Sequence, residues 1–170
     1  RADFMECVKI AREIGYETQV VTTNGFRLYK ILDECITNGL TRAIVSLDTL
    51  DPNRNKTVTG QNFFEEVIKS LEGAVEKLSS PTKMSCCTMK STLVEFEQFI
   101  RYAQELNSRD GYAGELVLKL NQFFPSNPAQ LTEKGSEYWK MEVVSEEEIL
   151  KKLNEVGQIH PLKRKYIEGD

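Results

Sequence analysis

Glu115-Leu116-Val117-Leu118-Lys119-Leu120-Asn121 alternates two kinds of side chain. In an extended chain Leu116, Leu118 and Leu120 share one side, and Glu115, Val117, Lys119 and Asn121 share the other. The stretch 83–88 alternates in the same way, with Lys83, Ser85 and Cys87 together on one face. A parallel strand covered by helices on both sides reads apolar on both faces. One polar face in two strands points instead to a bent sheet, with helices outside and a concave side suited to a wet, charged ligand. An open doubly wound sheet is the alternative, but an α/β arc of a (β/α) barrel is the architecture expected.

Outward from these strands the pattern alternates helix and strand. Phe4, Cys7, Val8, Ala11 and Ile14 fall at helical spacing, and Gly15 ends the run. A strand follows over 19–22, then a helix marked by Leu28, Ile31, Leu32 and Cys35 and closed by Asn38-Gly39. The strand Arg42–Ser46 comes next. After a loop with Pro52, a long helix carries Phe64, Val67, Leu71, Ala74, Val75 and Leu78 on one side, and Ser79-Ser80-Pro81 breaks it. The helix after strand 83–88 buries Phe96, Phe99, Ile100, Ala103 and Leu106. Ser145-Glu146-Glu147-Glu148 is a capping box opening a last helix that runs to about Val156. Residues 1–156 therefore form the expected barrel core, with 157–170 a linker or a truncated C-terminal segment. Right-handed crossovers make the sheet parallel. Four strands cannot close a barrel, so further strands lie outside this sequence, or a partner supplies them, or the sheet is open. Its exposed edges favour self-association.

Composition narrows the function. The chain has 170 residues and a net charge of −4, enough for one domain with a real core. No basic face is visible, so nucleic acid is not an expected partner; Lys163-Arg164-Lys165 is short and reads as a solvated tail. No apolar run approaches the ~20 residues that span a bilayer, so no membrane is expected. Nor is a signal peptide visible, although the chain begins at Arg1 and not Met. The four cysteines, Cys7, Cys35, Cys86 and Cys87, lack CxxC spacing and read as buried free thiols of a reducing, cytoplasmic setting. His160 is the only histidine, so a Ser–His or Cys–His nucleophile pair is not expected.

Small polar residues gather where the first strands end. Thr22-Thr23-Asn24-Gly25 follows Val20-Val21, and Ser46-Leu47-Asp48-Thr49-Leu50-Asp51-Pro52 follows Ala43-Ile44-Val45. In α/β proteins ligands bind at this edge of the sheet. The hydroxyls of Thr22 and Ser46 suit ribose, carboxylate or phosphate. Read structurally, Thr22 and Asn24 shape a strand-to-helix turn and cap the next helix. Asp48 and Asp51 could serve as general bases, but Asp51-Pro52 reads more simply as a turn and helix start.

The combination of TTNG, VSLDTLDP and VTG at Thr59-Gly60 resembles the radical S-adenosylmethionine superfamily, and within it the GTP 3′,8-cyclase branch of molybdenum cofactor biosynthesis. Arg1-Ala2-Asp3-Phe4 looks like the stretch after that family's GGEP motif. Leu118-Lys119-Leu120-Asn121-Gln122-Phe123-Phe124-Pro125 looks like its sixth strand, and Val144-Ser145-Glu146-Glu147-Glu148-Ile149-Leu150 like the helix entry beyond. The resemblance implies a partial (β/α)6 barrel, TIM-like, in which a [4Fe–4S] cluster on a CxxxCxxC loop reduces S-adenosylmethionine. The resulting 5′-deoxyadenosyl radical then takes a hydrogen from substrate. It also implies that Ser46, Asn24 and Phe124 lie on the S-adenosylmethionine side. Thr22, Lys83 and Lys119 then lie on the side of a small-molecule nucleotide substrate, GTP.

The departures bear on activity. No CxxxCxxC occurs in the chain, and Cys86-Cys87 cannot replace it, because neighbouring strand residues point to opposite faces. The expected reading is a middle fragment of a longer enzyme, inactive alone, whose cluster ligands lie upstream in the parent protein. A rival from another class is a non-catalytic, degenerate barrel that binds a nucleotide or a partner. A metal-independent barrel enzyme with a phosphate loop is a third reading, and 111–114 is a poor candidate for that loop.

Overall fold

In the computed structural model of the chain, residues 3–122 and 141–159 are described. Four strands, β1 (Val20–Thr23), β2 (Arg42–Ser46), β3 (Thr82–Thr88) and β4 (Leu116–Gln122), form one sheet in the order β1-β2-β3-β4. All three neighbouring pairs are parallel. Between and around them lie α1 (Phe4–Glu13), α2 (Leu28–Thr37), α3 (Pro52–Thr59), α4 (Phe64–Lys77), α5 (Lys90–Leu93), α6 (Phe96–Asn107) and α7 (Glu146–Ile159).

The strand order settles the choice of architecture. A doubly wound sheet needs a point where the order reverses. Here each strand pairs with the next in sequence. Crossovers of one hand then place every connecting helix on the same side of the sheet. The result is an α/β arc of barrel type, as the one-sided polarity of the strands implies.

The register separates the two faces. Thr23, Val45, Met84 and Leu118 stand side by side in one row across the sheet. This face meets the helices, and Ala43, Val45, Met84, Cys86, Leu116 and Leu118 are buried in it. Helix α4 covers it with Val67, Leu71, Ala74 and Val75, and α6 with Phe96, Phe99, Ile100, Ala103 and Leu106. These are apolar positions at helical spacing, so burying that stripe is what fixes both helices.

Local chemistry sets the ends. The α7 capping box forms as expected: Glu148 N–H donates to Ser145 Oγ at 3.2 Å, and Ser145 N–H to Glu148 Oε2 at 2.9 Å. Helix α7 then runs through Gly157 to Ile159, beyond the end expected at Val156. Val156, buried in the core cluster, anchors that last turn and outweighs the glycine's weak propensity of about 1 kcal/mol. Strand β1 begins and ends one position later than expected, at Val20 and Thr23.

Two helices lacked an apolar signature in the sequence. Helix α3, Pro-Asn-Arg-Asn-Lys-Thr-Val-Thr, has no apolar stripe and starts from its cap. Asp51 accepts from the N–H groups of Asn53 and Arg54, and Pro52 fills the first turn. Helix α5 is a single turn. The cysteines also differ from expectation: Cys35 and Cys86 are buried, Cys87 is half-buried and Cys7 is exposed. Helix α1 packs through Val8, with Phe4 and Met5 beside it, and Cys7 faces away. No helix among the described residues is long and apolar enough to cross a membrane.

Leu71, fully buried on α4, reports on the shared core. Leu71→Ala is expected to lower stability by about 2–5 kcal/mol, read as a fall in the urea midpoint with an unchanged slope.

Candidate functional site

The face turned away from the helices carries the polar side chains. Thr22, Ile44, Lys83 and Val117 stand in one row across the sheet, and Ser46, Ser85 and Lys119 in another. Thr22, Ser46, Lys83 and Lys119 therefore project from the same side. Strands lie about 4.8 Å apart, so Ser46 and Lys119, two strands apart, are separated by roughly 10 Å. Thr22 and Ser46 are exposed; Lys83 and Lys119 are half-buried. Asn121 Nδ2 donates to Ser85 Oγ at 2.7 Å and adds a neutral polar bridge to this floor. Cys87 lies here as well, while Cys86 points into the core. Phe124 lies outside the described residues.

The loop after β1 is pinned from beneath. Asn24 Oδ1 accepts from Phe26 N–H at 3.2 Å, so its oxygen shapes the turn as expected, but neither Thr22 nor Asn24 caps α2, whose N-cap is Arg27 with no side-chain hydrogen bond. Gly25 takes φ 77°, and a Cβ there would stand 2.8 Å from Val45 Cγ1. Only glycine allows this loop to rest on the core. The Gly25 carbonyl accepts from Ser70 Oγ, which itself accepts from Tyr29 N–H at 2.9 Å. One α4 hydroxyl thus holds both the loop and the start of α2.

The loop after β2 is held by two carboxylates. Asp48 Oδ1 accepts from Cys87 N–H at 2.7 Å, tying the C-terminal ends of β2 and β3 together. Burial raises the Asp48 pKa, partly offset by that amide. Burial also pushes the Cys87 thiol up to about 11, helped by the Asp48 charge, so it stays protonated at neutral pH. Glu95, only 4% exposed, accepts from Thr49 Oγ1 at 2.8 Å, Leu50 N–H at 2.9 Å and Arg54 Nη1 at 2.5 Å. Arg54 also donates to the Ser91 carbonyl. Asp51, as anticipated, is occupied in capping α3.

Between these loops lies a cleft of about 470 Å³, lined by Asn24, Ser46, Asp48, Asn55, Gln61 and Phe63 among others. A second, of about 630 Å³, runs beside β1 past Thr22, Asn24 and Arg27. The register puts Thr22, Ser46, Lys83 and Lys119 on one side of the sheet, with Asn24 in the loop beyond Thr23; the sequence reading did not single out Arg54, Asn55 and Glu95. A lone acid between Val94 and Phe96 was the one available sign of Glu95.

The donor set does not fit an iron–sulfur cluster. Among the described residues no group of three or more His, Cys, Asp or Glu could hold a metal ion. Cys86 and Cys87 lie on opposite faces of β3, as strand geometry requires. The hydroxyl and amide groups at the ends of β1 and β2 do suit a polar organic ligand.

The raised Asp48 pKa has a defined stability signature. A carboxyl whose folded pKa exceeds its unfolded value adds stability while protonated, and that contribution is lost as pH rises through the carboxylate range. Asp48→Asn keeps an acceptor for Cys87 N–H and removes the charge. The variant should gain stability relative to the parent sequence as pH rises from 4 to 7, measured by urea unfolding across that range. Glu95→Ala strips partners from Thr49, Leu50 and Arg54 together and should cost on the order of 3 kcal/mol. Arg54→Met should cost less, since Arg54 is partly exposed; the two denaturation midpoints give the comparison.

No family model matches the chain. Curated relatives do. The chain is 36% identical over 104 residues to the GTP 3′,8-cyclase of Vibrio cholerae serotype O1 (strain ATCC 39541 / Classical Ogawa 395 / O395), a match covering 60% of this chain and 31% of that protein. It is 29% identical over 157 residues to the "Probable GTP 3′,8-cyclase" of Methanococcus maripaludis (strain C7 / ATCC BAA-1331), covering 92% of this chain and 48% of that protein. The chain thus spans between about a third and a half of the length of these relatives. In fold it is similar to a crystal structure of a domain of pyruvate-formate lyase-activating enzyme from Bacteroides vulgatus ATCC 8482. That match has a TM-score of 0.67 at 14% identity, over 99% of this chain and 91% of that one. The chain is thus similar in sequence to GTP 3′,8-cyclases and shares its β/α fold with a domain of pyruvate-formate lyase-activating enzyme.

Proposed function

We propose that this chain is the central segment of a radical S-adenosylmethionine enzyme of the GTP 3′,8-cyclase kind, and that its open sheet face is part of the cradle for S-adenosylmethionine and a nucleotide. The observation that carries this reading is the register. It sets Ser46 beside Ser85 and Lys119, and Thr22 in the row of Lys83, all on the helix-free face. Hydroxyls at strand ends and two ammonium groups further across the sheet suit a ligand with a ribose and phosphates.

In this reading Ser46 and Asn24 hold the S-adenosylmethionine side, and Phe124 contributes apolar contact there. Thr22, Lys83 and Lys119 hold the nucleotide. The half-buried lysines act electrostatically, because partial removal from water strengthens their attraction for phosphate oxygens. The chain's own cysteines do not make a cluster site, so the segment is inactive alone and the cluster ligands belong to a longer parent. The parent is read as a cytoplasmic enzyme acting on a small-molecule nucleotide, with neither nucleic acid nor membrane as partner. Edge strands β1 and β4 give the segment a route to self-association. Residues 1–156 serve as the barrel core, and the last helix continues past that bound to Ile159.

A non-catalytic nucleotide-binding or interaction module is the second reading. It is favoured by the separation of Cys86 and Cys87 onto opposite faces. Iron and sulfide content of the anaerobically reconstituted full-length parent separates the two, since only the first requires a cluster there.

Calorimetric titration of the chain with GTP tests the cradle itself. Lys119→Ala and Lys83→Ala should each weaken binding by roughly tenfold or more, the loss expected for a charge-assisted hydrogen bond of about 1.5–3 kcal/mol. Affinity unchanged in both variants, or no heat with millimolar GTP, would remove the basis for the cradle.

A further inference from the structure

One tripeptide occurs twice in the chain. Thr23-Asn24-Gly25-Phe26 and Thr37-Asn38-Gly39-Leu40 each place Thr-Asn-Gly before an apolar residue. In an Asn-Gly pair the glycine nitrogen can attack the asparagine side-chain amide. The attack closes a five-membered ring within one chain, and glycine has no Cβ to shield the nitrogen. Local sequence is therefore nearly the same at both places, and the fold decides what each pair does.

At Asn24 each reacting group has a partner suited to reaction. Gly25 N–H donates to Thr23 Oγ1 at 3.2 Å. The nitrogen must shed its proton to attack, and a hydroxyl in that place can take it up and pass one on to water. Phe26 N–H donates to Asn24 Oδ1 at 3.2 Å, the oxygen on which charge grows as the nitrogen adds to Cγ. Asn24 is exposed, and the Nδ2 that must leave has no hydrogen-bond partner among the described residues.

At Asn38 the same groups are tied up. Its Nδ2 donates to the Glu34 carbonyl at 2.8 Å, and Gly39 N–H donates to the Ile36 carbonyl at 3.0 Å. Thr37 Oγ1 donates to the Asp33 carbonyl at 2.9 Å. These bonds close the end of α2, whose C-cap is Asn38, so reaction there costs the helix its terminus.

We propose that Asn24 is a self-modification site, deamidated by attack of the Gly25 nitrogen, and that the fold spares Asn38. The bond from the Gly25 nitrogen to Cγ forms, the Cγ–Nδ2 bond breaks, and the displaced amide leaves with the Gly25 proton as ammonia. Water then adds to either carbonyl of the cyclic imide. One opening gives aspartate and the other isoaspartate, with no change of oxidation state and water as the only co-reactant. Either product puts a carboxylate where Asn24 lines both clefts. The isoaspartyl form also lengthens the backbone by one carbon ahead of Gly25, which already lies tight against Val45. This chemistry needs no ligand and does not depend on the cradle.

The test incubates the whole chain at neutral pH and maps its peptides by mass spectrometry, reading the amide-to-acid mass gain at each asparagine. In the folded chain Asn24 should convert at least about tenfold faster than Asn38, a modest share of what an oriented amide donor supplies at an oxyanion. In concentrated urea the two rates should converge, because the neighbours in sequence are then all that remain. Equal rates in the folded chain, or a faster Asn38, overturn the proposal. An Asn24 advantage that persists undiminished in urea belongs to Phe26 in place of Leu40 rather than to the fold, and overturns it as well. So does an Asn24 left intact in the folded chain over a time in which the urea-unfolded chain converts.

Discussion

The layout of this sheet follows from one constraint: strands joined in sequence by crossovers of a single hand place their connecting helices on one side of it. That side collects the apolar half of each strand and becomes the core. Among the described residues the connecting helices lie on the first side, and the polar side chains gather on the other, where Thr22 and Ser46 are exposed, Lys83 and Lys119 half-buried and Val117 buried. Thr22, Ser46, Lys83 and Lys119 are neighbours for this reason, although they come from four different strands. A reversed strand order would have put helices across both faces and filled the same space with leucine and valine.

Much of this geometry could be read from alternation alone. In 115–121 and 83–88 the two faces differ so strongly in polarity that the direction of each side chain is fixed once the strand is recognised. The helices α4 and α6 announce themselves through apolar residues at helical spacing. What escaped was held by features that leave little periodic trace. Helix α3 is polar along its length and owes its position to the Asp51 cap and Pro52. The extension of α7 past Gly157 depends on Val156 finding a place in the core, a tertiary contact invisible to local propensity. Cys7 fell in an apolar pattern, but α1 lies at the margin of the core and presents that side to water.

The site divides in the same manner. Its floor was legible because strand register dictates it. Its walls were not, because they depend on contacts between residues far apart in sequence. Asp48 meets the Cys87 amide, and Glu95 gathers Thr49, Leu50 and Arg54. Ser70 does the same for Gly25 and Tyr29 from the opposite helix. Each of these groups closes a hydrogen-bonding account that the loop could not close for itself. The loops are consequently fixtures of the scaffold rather than mobile covers.

The Glu95 hub has a thermal corollary. Charged groups lose hydration free energy as water warms, so the cost of sequestering an ion pair shrinks with heating, while apolar burial gains little more. The Arg54–Glu95 contact therefore becomes relatively more favourable in hot surroundings. On heating, the seam joining the β2 loop to the start of α6 should outlast the thinly packed margin at α1, so that melting begins at the N-terminal end of the arc.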